Sequence, residues 1–152
     1  EAFPPRYNIA PTQIELEITE HLILRKQAAV TNKLKRLSRM GFTIAVDNFG
    51  TGFSPLSCLH ELPITTIKLD QSFLKHLGND RHSGSVCIVS AISAMASGLN
   101  LNMVAEGVET TMQKEYLEKL GCANMQGNLF QAPVSSKEAR KIIVSPELIN
   151  SD

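Results

Sequence analysis

Five times along this chain a short apolar run with β-branched residues ends on polar side chains and gives way to a segment of helical character. The runs span 14–19, 42–46, 65–69, 101–105 and 123–126. Strands separated by helices pair in parallel, with the helices covering the sheet. The fold class is therefore α/β. In a parallel sheet the carboxyl ends of all strands share one rim, and ligands bind along it. Here the rim positions carry Glu17 and Glu20, Asp47 and Asn48, Lys68 and Asp70, Glu106 and Glu109, and Gln126. A single acid after a strand is usually a helix cap. Five polar strand ends in register point to a site, although structural ion pairs account for such residues as well.

The intervening segments read as follows. Residues 1–13 contain Pro4, Pro5 and Pro11 and form an irregular lead-in. Residues 26–39 show the apolar spacing of an amphipathic helix, closed by Gly41. Short helices are expected over 54–59 and 70–77, with Pro63 between them and a turn at 78–80. Residues 85–97 are apolar on most faces, which predicts a well-covered helix. Residues 110–120 begin on a threonine and stop before Gly121. A last helix runs from Ser135 or Ser136 to Val144, and the tail after Pro146 is loose. The core of the domain thus lies at about 14–144.

Charge narrows the partners. Lys+Arg and Asp+Glu are each 15, so the net charge is zero and nothing favours duplex nucleic acid or a membrane surface. A phosphate-bearing ligand would need local donors or metal ions. No run of 18 apolar residues suggests a membrane span. Cys58, Cys87 and Cys122 show no CxxC spacing and read as reduced thiols, which fits a cytoplasmic protein.

The richest stretch is Asp47-Asn48-Phe49-Gly50-Thr51-Gly52-Phe53-Ser54. An acid leaves the strand into a loop of Gly50, Thr51 and Gly52, whose glycines allow positive φ and close approach to a ligand. Several carboxylates on one rim repel unless cations sit among them, and oxygen donors suit Mg²⁺ or Mn²⁺. His21, His60, His76 and His82 fall in helices or turns, so neither a zinc site nor a Ser–His–Asp triad is indicated. A lysine beside acid-bound metals can orient a water, and paired metals favour displacement at phosphorus. The residues alone point to metal-dependent phosphoester chemistry.

Five motifs in order carry a family resemblance: Glu17-Ile18-Thr19-Glu20, the 47–54 stretch, Ile67-Lys68-Leu69-Asp70, Val104-Ala105-Glu106-Gly107-Val108-Glu109, and Gln126-Gly127 with Phe130 and Pro133. The chain resembles the EAL-domain family of cyclic di-GMP phosphodiesterases. The resemblance implies a (β/α)₈ TIM-like barrel, of which this chain supplies about five C-terminal βα units. It implies hydrolysis of cyclic di-GMP to linear pGpG with two Mg²⁺ or Mn²⁺ ions. By motif, Glu17, Asp47, Asn48 and Glu106 are metal ligands, with Asp47 the bridge. Lys68 contacts the attacking water, Glu20 anchors the glycine loop, and Glu109 supports the site. Gln126, Phe130 and Pro133 stand where substrate is bound.

Two departures accompany the resemblance. The family carries Asp where this chain has Asn48, which removes one charge. The Glu-Ala-Leu strand that names the family, and the strand after it, are expected before Glu1. On this expectation residues 1–152 are the C-terminal portion of one EAL domain, inactive alone. The open sheet would then expose apolar inner faces at 42–46 and 101–105. A degenerate module that binds cyclic di-GMP or a protein partner without catalysis is the alternative. The resemblance further implies a homodimer and a cytoplasmic domain, free-standing or within a multidomain or membrane-anchored protein.

Overall fold

Five parallel strands lie side by side in sequence order: β1 (Glu15–Thr19), β2 (Thr43–Phe49), β3 (Thr66–Leu69), β4 (Asn102–Glu106) and β5 (Asn124–Gln126). The computed structural model describes residues 8–24, 28–52, 59–75, 77 and 84–144. The helices are α1 (Glu20–Leu24), α2 (Ala28–Arg39), α3 (Gly84–Gly98), α4 (Thr111–Lys119) and α5 (Ser136–Val144). Single 3-10 turns sit at Pro11–Gln13 and Gln71–Phe73.

Alternation along each strand sorts the side chains onto two faces. One register row joins Ile18, Val46, Ile67 and Met103. Together with Leu69 and Ala105 it packs against Leu74, against Val89, Ile92 and Ala96 of α3, and against Leu117 of α4. Val46, Ile67 and Leu69 are fully buried, and each such side chain contributes about 1.5–3 kcal/mol.

The neighbouring row joins Glu17, Ala45, Thr66 and Asn102 on the other face. The inner face is therefore largely polar, and the expected exposure of apolar residues there is limited to Val104. Ala45 on that face is buried and Val104 half-buried, while Ile44, Val46, Met103 and Ala105 are buried on the opposite face. An apolar run gives the period of a strand but not which face its larger members take.

Caps set the element ends. Thr110 accepts a hydrogen bond from Gln113 N and starts α4. Gly121, at φ +79°, closes that helix, with Cys122 N donating to Leu117 O at 3.0 Å. Other expectations need correction. β2 does not end at Val46 but continues to Phe49 through a register shift between those residues. Over 70–77 the structure holds a 3-10 turn at Gln71–Phe73, because Asp70 caps Ser72 N at 2.8 Å. Helix α3 is covered on one face only. Val89, Ile92 and Ala96 are buried, while Cys87 and Ile88 are exposed, since a helix outside a sheet has one contact stripe. The expected helix over 54–58, the turn at 78–80, and Cys58, His76 and His82 lie outside the described residues. No helix among the described residues is long and apolar enough to cross a membrane.

Candidate active site

Lys68 stands on β3, the middle strand, and is 8 % exposed. Its Nζ donates to Glu17 Oε1 at 2.6 Å and lies 2.8 Å from Glu106 Oε1 and 3.7 Å from Asp47 Oδ1. Glu106 comes from the neighbouring strand β4, and Asp47 from β2 on the other side. Glu17, two strands away, reaches Lys68 past Ala45, its register partner, whose single methyl group leaves the path clear. Burial pulls the Lys68 pKa down. The hydrogen bonds to Glu106 and Glu17 outweigh it, and the ammonium is held well above the ordinary lysine range. The group is a cation at any physiological pH.

A second set of bonds shapes the loop after Asp47. Glu20 begins α1 and is buried, and its Oε2 accepts from Gly50 N at 3.2 Å and Gly52 N at 3.0 Å. Gly50 has φ +93°, and a Cβ there would stand 3.0 Å from the Phe73 ring. Asn48 also has positive φ, at +53°. Its N–H donates to Asp47 Oδ1 at 3.0 Å and its Nδ2 to Asp47 Oδ2 at 2.9 Å. Its carbonyl accepts from the Thr51 hydroxyl at 2.8 Å. Two oppositely placed features, a buried acid and an irregular strand end, thus fix the backbone of 47–52.

The structure brings Glu17, Asp47, Lys68 and Glu106 into one cluster, with Glu20, Asn48, Gly50, Thr51 and Gly52 beside it. Gln126 pairs in register with Glu106 but is exposed. Glu109, Phe130 and Pro133 are exposed too, and no side-chain hydrogen bond joins them to the cluster among the described residues. One residue that sequence reasoning missed supports the rim. Gln113 is buried; its Oε1 accepts from Glu109 N at 2.8 Å and Thr110 N at 3.0 Å, and its Nε2 donates to Leu74 O at 2.9 Å. Thr110 and Gln113 form a capping box, a pattern readable in the sequence. Lower on the inner face, Thr66 Oγ1 donates to Glu15 Oε2 at 2.7 Å.

Three carboxylates turned toward one ammonium make a place that holds positive charge, and hard divalent cations take such oxygens. The donors of Glu17, Asp47 and Glu106 fit that class in kind. They are spread around Lys68, and among the described residues no group of three acid, histidine or cysteine side chains is gathered at ligand spacing.

Fold and rim together define a parallel βα domain with an acidic edge at the carboxyl ends of its strands. The chain belongs to the EAL domain family, whose model matches residues 1–133. It is 42% identical over 133 residues to the bifunctional diguanylate cyclase/cyclic di-GMP phosphodiesterase MucR of Pseudomonas aeruginosa, covering 88% of this chain and 19% of that protein. The solved PaMucR phosphodiesterase, in its c-di-GMP complex, superposes with TM-score 0.84 at 41% identity, over 90% of this chain and 54% of the other. The EAL domain of Mycobacterium smegmatis DcpA gives TM-score 0.85 at 35% identity, over 93% of this chain and 62% of that one. Klebsiella pneumoniae BlrP1, solved as a manganese/cy-diGMP complex, gives 0.75 at 30% identity, over 85% and 32%. The chain thus spans less than a fifth of MucR and about half to three fifths of the first two solved relatives.

Proposed function

We propose that this chain forms the carboxyl-rim part of a cyclic di-GMP phosphodiesterase domain that hydrolyses one phosphodiester to give linear pGpG. The single observation that carries the reading is the Lys68 ammonium held between Glu17 and Glu106 with Asp47 3.7 Å away. Relatives that bind cyclic di-GMP, one of them with manganese, support it.

On this reading Glu17, Asp47 and Glu106 supply carboxylate oxygens, and Asn48 an amide oxygen, to two Mg²⁺ or Mn²⁺ ions. Bound there, the ions would supply Lewis acidity at the phosphoryl group. Lys68 contributes a fixed positive charge that its neighbours keep protonated, so it orients a water or an anionic oxygen by donating and does not act as a base. Glu20 keeps the 50–52 backbone folded beside Asp47. Gln126, Phe130 and Pro133 form the far wall for the dinucleotide, and Glu109 supports the loop after Glu106. The domain completes its barrel with further strands of a longer cytoplasmic polypeptide and works as a homodimer.

The test is Mn²⁺-supported turnover of cyclic di-GMP by the full-length polypeptide. Asp47→Ala is expected to abolish it. Turnover within a few-fold of the parent would overturn the assignment of Asp47. Asn48, a neutral residue beside Asp47, favours a second reading in which the domain binds cyclic di-GMP or a protein partner without cleaving it. Tight binding without any pGpG would favour that reading.

A further inference from the structure

Asn48 is the residue at which the main chain of β2 departs from the sheet. The register between β2 and β3 shifts between Val46 and Phe49, so one residue of β2 loses its ladder partners. That residue takes the left-handed conformation, φ +53°, which asparagine tolerates better than most side chains. A buckled strand leaves its N–H and C=O in need of partners. Both find them locally. The N–H goes to Asp47 Oδ1 and the C=O receives the Thr51 hydroxyl. The side-chain amide then adds a third bond, from Nδ2 to Asp47 Oδ2.

The consequence falls on Asp47. Its two carboxylate oxygens are each held by the next residue, one by backbone and one by side chain, at 3.0 and 2.9 Å. The carboxylate has no torsional freedom left without breaking one of them. On its third side Lys68 Nζ lies 3.7 Å from Oδ1. Neither glycine, which accepts the same backbone, nor aspartate, which has the same shape, can supply the Nδ2–H bond.

We propose that Asn48 is a positioning residue for Asp47, and that its amide sets the direction in which Asp47 presents its oxygens to a cation at the rim. This rests on the reading of the rim as a divalent-ion site. Its amide nitrogen is engaged on Asp47, which leaves the amide oxygen as the one side-chain atom Asn48 could offer a cation. Asn48 acts chiefly through its neighbour.

Two variants separate positioning from backbone shape. Asn48→Gly keeps the left-handed backbone at no strain and removes only the side-chain grip. Asn48→Asp keeps the shape and replaces the donor with a charge. In the full-length polypeptide, Mn²⁺ binding is read by electron paramagnetic resonance of the free ion, beside kcat and KM for cyclic di-GMP. For Asn48→Gly the expected result is Mn²⁺ affinity and kcat both lower by about 10-fold, KM within about 2-fold, and a thermal midpoint close to the parent's. Asn48→Gly matching the parent in Mn²⁺ affinity and kcat would overturn the proposal. Hydrogen exchange at the Asn48 backbone amide tests the grip without any metal. Removing its acceptor with Asp47→Ala should speed exchange about 10-fold, as expected for loss of a bond to a charged group. Unchanged exchange also overturns the proposal. A parent that binds no Mn²⁺ yet shows this acceleration would instead overturn the divalent-ion reading and leave the grip on Asp47 standing.

Discussion

Lys68 Nζ and Glu106 Oε1, on neighbouring parallel strands, lie 2.8 Å apart at the carboxyl end of the sheet. With Glu17 at 2.6 Å, the buried ammonium balances acids that would otherwise face one another. Lys68→Met keeps length and removes charge. Breaking a buried pair from one side typically costs about 3–5 kcal/mol, and Glu17 is half exposed here, so about 1–3 kcal/mol is expected. Urea unfolding of both proteins measures it. Equal midpoints would mean the cluster adds nothing to stability.

The same pair fixes the sign of a pH effect. A free lysine titrates near 10.4, and Lys68 in the folded chain titrates higher. The unfolded chain therefore loses this proton first as pH rises. The stabilising contribution is complete below about pH 10 and is lost as pH climbs through the folded value. The stability difference between the parent and Lys68→Met should stay flat from pH 7 to about 10 and shrink above that. A difference that shrinks below pH 9 would contradict the raised value.

Glu20 is buried with two glycine N–H groups pointed at one oxygen. Glu20→Ala leaves both donors without that acceptor, at a cost of about 1–3 kcal/mol. For a domain of this size the thermal midpoint should fall by roughly 3–10 °C. Glu20→Gln keeps an acceptor oxygen and should lose less than half as much. The opposite order, with Gln worse than Ala, would show that the N–H bonds are not what Glu20 supplies.

Much of this fold was legible in the sequence because period and punctuation agree. The apolar runs, Thr110 at one helix start and the glycines at 41 and 121 marked the five strands and two helix ends to within a few residues. The extension of β2 to Phe49 was not legible. A bulge is set by pairing with β3, and no local pattern announces it. Nor was the facing of the strands, since Val46 and Ala45 are both apolar and only packing against α3 decides which turns outward. Lys68 could be picked out, but how close its three carboxylate neighbours lie could not. The Thr110–Gln113 spacing marks a capping box, but the burial of Gln113 has no sequence signal, since a glutamine four residues after an acid reads as helix surface.

Gly127 follows β5 where the chain runs beside the loop after β4, with Val108 N donating to Gln126 O at 3.0 Å and Leu129 N to Val108 O at 3.0 Å. A Cβ at position 127 would collide with the Val108 backbone, which cannot swing aside as a side chain can. Gly127→Ala must therefore push the two loops apart. Overpacking of this kind costs about 1–3 kcal/mol. Because Val108 lies two residues after Glu106, the displacement should also reach the rim. A thermal midpoint within 1–2 °C of the parent, less than about 1 kcal/mol would move it, would show that the loops yield freely.

Gln113 ties two rim loops together from behind. Its carbonyl oxygen takes the N–H groups of Glu109 and Thr110, which follow β4, and its amide nitrogen reaches Leu74 O, which follows β3. Gln113→Leu keeps the bulk and removes all three bonds. Glu109 and Thr110 are exposed and can turn to water, whereas Leu74 is fully buried and its carbonyl loses its side-chain partner. Leu74 O still accepts from Leu77 N at 3.0 Å, so the stability cost is about that of one lost hydrogen bond, roughly 0.5–1.5 kcal/mol. The local effect should be larger than the global one, because the loop carrying Glu109 is released while the sheet stays paired. Amide hydrogen exchange resolves the two. In Gln113→Leu the Thr110 and Gln113 amides should exchange at least about 10-fold faster, and those of Val46 and Ile67 only as much faster as the global stability loss requires. Uniform acceleration across the sheet and the loop would mean that Gln113 serves the core as a whole and does not couple the two loops.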